Sequence, residues 1–160
     1  MKFEQIQKIA VVGAGQMGNG ITQVCAAQNY QVLMYDISNQ SLEKGLVTIS
    51  GSLDRLIKKA SMTEADKNKI LSCIKVTNQI EDLKDADFVI EAATENIDLK
   101  IKVFKELDRI VKADAKLATN TSSISITKIA AATGRPQQVV GMHFMNPVPI
   151  MKLVEGIRGI

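Results

Sequence analysis

Lys8-Ile-Ala-Val-Val-Gly13-Ala14-Gly15-Gln16-Met17-Gly18 decides the fold. Its first half is a short apolar run, the mark of a strand buried on both faces. Beyond it Met17, Ile21, Val24 and Cys25 recur at helical spacing, so a helix follows directly. Between strand and helix stands a Gly-x-Gly-x-x-Gly loop. Glycine loops are common, and the position between a strand and a helix is what makes this one specific. Gly13 permits a tight turn, Gly15 lets the backbone approach a pyrophosphate, and Gly18 lets helix and strand pack closely. The helix N-terminus adds free N–H groups and the positive end of a dipole. Gly13, Ala14, Gly15, Gln16, Met17 and Gly18 are therefore the candidate phosphate contacts.

Gln31 to Tyr35 reads as a second strand and ends at Asp36, 18 residues after Gly18. A carboxylate there accepts hydrogen bonds from the adenosine ribose hydroxyls and repels a 2′-phosphate, which favours NAD over NADP. Two other readings stand beside this one. Asp36 is a turn residue capping the next helix, or the glycine turn serves the adenosyl cofactor of a methyltransferase.

The same alternation continues along the chain. Leu42, Leu46, Ile49, Leu53, Leu56 and Ile57 mark a long amphipathic helix from Ser38 to about Ala60. Thr63 with Asp66 predicts a capping box. Strands are predicted at 74–77, 87–92, 116–121 and 139–143. Ile97, Ile101, Phe104, Leu107 and Val111 mark a helix, and 125–132 a shorter one stopped by Gly134 and Pro136. Strands that alternate with helices predict an α/β fold: a doubly wound, mostly parallel sheet of the Rossmann type, with helices on both faces.

Composition narrows the function. The 160 residues suit one domain, spanning 1–160. A net charge of +3 is too small and scattered for a nucleic-acid surface, and with two Tyr, four Phe and no Trp there is little to stack bases on. No apolar run approaches the roughly 20 residues of a membrane helix. Glu4 ahead of the first apolar run, with no small-residue cleavage site after it, argues against a signal peptide. Cys25 and Cys73 match no metal spacing; they read as free packing thiols in a reducing, cytoplasmic compartment. No metal site is expected.

His143, the only histidine, lies at the end of a predicted parallel strand, where open α/β sheets bind their ligands. From position alone it is as readily a satisfied histidine at a domain edge as a catalytic one. Here the chain resembles the NAD-binding domain of the L-3-hydroxyacyl-CoA dehydrogenases, especially the bacterial 3-hydroxybutyryl-CoA type. Five segments carry the resemblance: Gly13–Gly20 (GAGQMGNG), Val89–Asn96 (VIEAATEN), Asn120–Ser123 (NTSS), His143–Pro149 (HFMNPVP) and Met151–Glu155 (MKLVE).

The resemblance implies NAD-dependent oxidation of (S)-3-hydroxyacyl-CoA to 3-oxoacyl-CoA. It makes His143 the general base for the 3-hydroxyl proton, with Glu155, twelve residues on, orienting it and stabilising its charged form. It places Ser122 beside the reacting oxygen and the nicotinamide, where a hydroxyl both donates and accepts. Asn146, Glu95 and Lys100 become cofactor or substrate contacts, and Ser52 and Lys59 hold coenzyme A. Ser52 and Lys59 are seven apart on one helix face, with Arg55 and Lys58 adding positive charge. Each has a plainer reading. Ser122 is a helix cap, a role Ser123 also fits. Asn146 precedes a proline turn, Glu95 and Lys100 start an exposed helix, and Ser52 and Lys59 sit on a solvated face. Glu91 interrupts a buried run and has no assigned role.

Family members continue into a helical C-terminal domain that supplies another active-site asparagine, covers the acyl chain and forms a homodimer. That domain is expected to be absent from this chain, whose apolar stretch 144–160 has the look of a surface meant to be covered. Strong NAD binding with weak or absent turnover is the expectation. A binding module without chemistry, or another β-hydroxyacid dehydrogenase with the same glycine loop, are the competing readings.

Overall fold

The computed structural model describes residues 6–160; Glu4 lies outside them. Seven strands form one sheet: β1 (Lys8–Val12), β2 (Gln31–Tyr35), β3 (Ile74–Thr77), β4 (Phe88–Glu91), β5 (Lys116–Thr119), β6 (Val139–Phe144) and β7 (Val154–Arg158). Their order is β3-β2-β1-β4-β5-β6-β7. Every pairing is parallel except β6 with β7. The chain winds outward from β1 in one direction, returns, and winds outward from β4 in the other. The carboxyl ends of β1 and β4 thus flank a crevice at the switch point.

Both faces of the sheet's centre are covered, which is why β1, β4 and β5 are nearly continuous buried runs. Ala10, Val12, Val89 and Leu117 point to one side and pack on Phe104 and Leu107 of α4 (Ile97–Ile110) and Ile129 of α5 (Ile126–Ala130). Ile9, Val11, Ile90 and Ala118 point to the other. They meet Ile21 of α1 (Gln16–Ala27), Ile49 and Leu53 of α2 (Asn39–Lys58) and Ile70 of α3 (Glu64–Ser72). Ser38 caps α2, and the Thr63–Asp66 capping box is formed at α3. Among the described residues no helix is long and apolar enough to cross a membrane.

Three expectations change. The Phe144–Ile160 stretch contains β7, a strand that the sequence pattern does not announce because all five of its residues are exposed. The cap of α5 is Ser125, whose hydroxyl accepts from the Lys128 N–H, so neither Ser122 nor Ser123 caps that helix. Lys100 is 1% exposed, so it does not belong to an exposed helix start. Strand ends at Asp87, Ala92 and Thr121 shift by one or two residues, the usual scatter of element boundaries.

Asp87 ties the far end of the sheet together. Its Oδ2 accepts the N–H groups of Gln7 and Lys8, and its Oδ1 pairs with Lys112 at 2.7 Å. Burial pushes its carboxyl up, but these partners outweigh burial and hold it below the ordinary aspartate value. A depressed carboxyl contributes stability above its unfolded value, and that contribution is lost as pH falls through the folded one. Asp87→Asn should therefore destabilise the domain by about 1–3 kcal/mol at pH 7, the range for charge-assisted hydrogen bonds. Urea denaturation should show this gap closing as pH drops below about 4, near the unfolded aspartate value; a gap independent of pH would contradict the assignment.

Candidate dinucleotide and active site

The glycine loop folds as its sequence demands. Gly13 has φ +103°, a backbone region that side chains rarely adopt, and its N–H donates to the Tyr35 carbonyl at 2.7 Å. A Cβ on Gly13 would stand 2.8 Å from the Ala92 carbonyl oxygen of the loop after β4. A Cβ on Gly18 would lie 1.7 Å from the Gly13 carbonyl oxygen, so α1 meets β1 with no room for a methyl group. Gly15, the N-cap of α1, makes no side-chain cap, and a Cβ there would meet nothing within 4 Å. The loop is closed on its protein side and open on the crevice side, a cradle suited to a pyrophosphate at the N–H groups of the first turn.

Asp36 finishes this half. Its Oδ2 accepts the Ala14 N–H at 2.9 Å and its Oδ1 the Ser38 N–H at 2.9 Å. Each oxygen keeps a further acceptor site for a ribose hydroxyl. The turn role and the ribose role are therefore compatible, while the cap of α2 is Ser38. Ala14 is buried against Met34 and Leu42, and Met17 packs on the core.

At the carboxyl ends of β4 and β5, Glu95 gathers the turn that follows β5. Its Oε1 accepts from the Thr121 hydroxyl, from the Ser122 N–H at 2.9 Å, and from the Ser122 and Ser123 hydroxyls at 3.4 Å. Lys100 Nζ lies 3.6 Å from Glu95 Oε2. Partial burial pushes the Glu95 carboxyl up, but the Thr121 and Ser122 hydrogen bonds and the charge of Lys100 outweigh it and hold the carboxyl low.

His143 stands opposite Glu155 in the antiparallel β6–β7 register, and its Nδ1 is 2.9 Å from Glu155 Oε2. A carboxylate on Nδ1 selects the tautomer that leaves Nε2 as an open acceptor, the arrangement of an oriented general base. The Asn120 side chain accepts the Phe144 N–H at 2.8 Å and so ties the Ser122 turn to the histidine strand. Gln16 of the glycine loop donates to Asn146 Oδ1 at 3.2 Å, joining the first motif to the last.

Ser52, Arg55 and Lys59 face Gln16, Asn146 and the Pro147–Ile150 loop across a cavity of about 270 Å³. Lys58 is not among its walls. Cys25 is a packing thiol: burial pushes it up to about 12. Among the described residues no group of three metal-ligating side chains converges.

Sequence reasoning gave Asn120 and Thr121 no role beyond their place in the NTSS segment, and it missed the Gln16–Asn146 bond and any function for Glu91. Glu91 and Lys100 form a buried ion pair at 2.8 Å. An acid inside a buried strand and a lysine four residues before Phe104, on the apolar stripe of α4, were the available signals.

Fold and loop together define a dinucleotide-binding domain. The family model for the NAD-binding domain of 3-hydroxyacyl-CoA dehydrogenase matches residues 8–160, and the chain belongs to that family. A 3-hydroxybutyryl-CoA dehydrogenase of Bradyrhizobium diazoefficiens is 50% identical over 155 residues, which are 97% of this chain and 53% of that protein. The crystal structure of (S)-3-hydroxybutyryl-CoA dehydrogenase from Ralstonia eutropha superposes with a TM-score of 0.96 at 55% identity, covering 98% of this chain and 55% of the other. A 3-hydroxybutyryl-CoA dehydrogenase from Escherichia coli K12 gives a TM-score of 0.93 at 41% identity, over 95% of this chain and 32% of that one. The chain thus spans about half the length of the first two relatives.

The two glycines make opposite predictions. Gly15→Ala should leave stability within about 1 kcal/mol, an N-cap effect, yet weaken NADH binding in calorimetry at least about tenfold by blocking the backbone approach. Gly18→Ala should instead lower Tm, because its methyl has nowhere to go. Equal effects of the two on Tm would refute the division of roles.

Proposed function

We propose that this chain is the cofactor-binding and proton-transferring part of an NAD-dependent dehydrogenase acting on short (S)-3-hydroxyacyl-CoA thioesters. The observation that carries the reading is the His143–Glu155 pair at the same sheet edge as the glycine cradle. NAD, when bound, supplies the hydride acceptor. The Gly13–Gly18 loop holds the pyrophosphate, Asp36 the adenosine ribose, and Glu95, Ser122 and Asn146 the nicotinamide end, with buried Lys100 acting there through Glu95. His143 Nε2 takes the proton of the substrate 3-hydroxyl as hydride leaves C3, giving the 3-oxoacyl thioester. Glu155 stabilises the imidazolium that forms. In reverse the imidazolium returns the proton to the forming alkoxide. Ser122 donates to the reacting oxygen.

Ser52 and Lys59 hold the coenzyme A moiety. Their cavity supports this, since Arg55 and Lys59 bring positive charge toward a phosphorylated carrier while Leu56 and Val148 offer apolar surface. A cytoplasmic setting belongs to the same reading and is supported by two unpaired thiols. Homodimeric assembly belongs to it as well.

The site lies open. His143 is 25% exposed and Glu155 52%. Hydride transfer benefits from excluding water, so these 160 residues by themselves turn over weakly or not at all while binding NADH well. The test is NADH oxidation driven by acetoacetyl-CoA. Slow turnover should fall about 10²–10⁴-fold in His143→Ala, the usual contribution of a general acid–base, with NADH affinity retained. Turnover unaffected by that substitution would remove His143 from the chemistry. NADH binding with no turnover, even when a second domain is supplied, would favour a module that binds cofactor without reacting.

A further inference from the structure

Directly beneath the crevice a carboxylate and an ammonium are sealed from water. Glu91, the last residue of β4, is 0% exposed, and Lys100, in the first turn of α4, is 1% exposed. Both Glu91 oxygens accept from Lys100 Nζ at 2.8 Å. Oε1 also accepts the Ala93 N–H at 2.7 Å, and Oε2 the Thr119 hydroxyl at 2.7 Å. Stability does not explain such a pair. Apolar residues of similar volume often serve as well or better, since two charges must first be stripped of water.

Its connections do explain it. Lys100 Nζ reaches past Glu91 toward Glu95 Oε2, at 3.6 Å. The other Glu95 oxygen collects Thr121, Ser122 and Ser123. The Thr121 hydroxyl in turn accepts the Ile124 N–H at 3.0 Å and shapes the turn. Glu95 is therefore a two-faced clamp, one oxygen on the buried cation and one on the turn.

We infer that Glu91 and Lys100 are a positioning unit for the nicotinamide end of the cofactor site. Glu91 locks Lys100, Lys100 orients Glu95, and Glu95 holds the Thr121–Ser123 turn that presents Ser122. This rests on the proposed placement of Ser122 at the nicotinamide. Glu91 touches neither cofactor nor substrate in this scheme. Without its carboxylate, Lys100 draws Glu95 inward and away from the turn.

Calorimetric binding of NADH and of ADP-ribose by the 160-residue chain tests this. ADP-ribose has the adenosine and pyrophosphate and lacks nicotinamide, so it reads only the glycine loop and Asp36. Glu91→Gln, and the double variant Glu91→Leu with Lys100→Met, which keeps the volume without the charges, should each weaken NADH about tenfold. ADP-ribose should stay within about twofold. Hydrogen exchange should show the Ser122 amide about tenfold less protected in both, as expected when its acceptor moves. If the folded double variant binds both ligands as the parent does, or loses both alike, the pair is structural only and the positioning role is overturned. Ser122→Ala separates the two layers. If it selectively weakens NADH while the pair variants do not, the relay alone is overturned. If Ser122→Ala leaves NADH unchanged, the placement of Ser122 at the nicotinamide is overturned, and the role given to the pair with it.

Discussion

No side chain fits between the first turn of α1 and the carbonyl of Gly13, and the rest of the site depends on that contact. It sets the helix N-terminus against the carboxyl end of β1, where the switch in winding direction has opened a crevice. The Ala14 N–H bond to Asp36 then fixes the end of β2 relative to the loop. The tight approach of Gly13 to Ala92 does the same for β4. Backbone packing, with one carboxylate, thus places three strand ends around one volume. Parallel strands make this possible because all their carboxyl ends share an edge.

The half that carries His143 and Glu155 is built differently. His143 and Glu155 are held by the register of an antiparallel pair at the outer edge of the sheet. Directly opposite residues in such a pair have Cβ atoms about 4.5–5.5 Å apart, close enough for imidazole to meet carboxylate without long flexible arms. Asn120 and the Gln16–Asn146 bond then fasten this edge to the glycine-loop half through short polar links. Two constructions, one governed by backbone sterics and one by strand register, meet at a common edge.

What was legible in the sequence follows from which forces leave a periodic trace. Burial on two faces writes continuous apolar runs, so β1 could be placed to the residue. The glycine loop was legible because each glycine answers a separate steric demand. β7 was not: its side chains are exposed, Gly156 sits in its middle, and no alternation marks it. Only the resemblance to a family paired Glu155 with His143. Lys100 misled because a lysine reads as exposed until its partner is known. That partner, Glu91, is nine residues earlier on another element, and pairing across elements leaves no local pattern. Ser122 and Ser123 offered two similar hydroxyls for the cap of a helix read as starting at Ser125. The backbone gives the cap to neither: Ser125 itself caps α5, and the other two turn toward Glu95.

Among the described residues, four of the seven buried polar groups gather at one end of the sheet. Glu91, Lys100, Thr119 and Thr121 are all buried at the carboxyl ends of β4 and β5 or in the elements leading from them. The strand interiors beneath them are apolar. A sheet selected for stability alone would continue those apolar runs to the edge, because unpaired polar burial is costly and paired burial gains little. Inside the low-dielectric edge, however, a fully partnered network is stiff. Moving one member strands another without a partner, and that penalty is what resists motion. The network therefore converts marginal stabilisation into precise placement of a short turn. The proposed transfer of a proton and a hydride would need its donors held in place before the substrate arrives, and a turn carried on solvated side chains alone would not hold them.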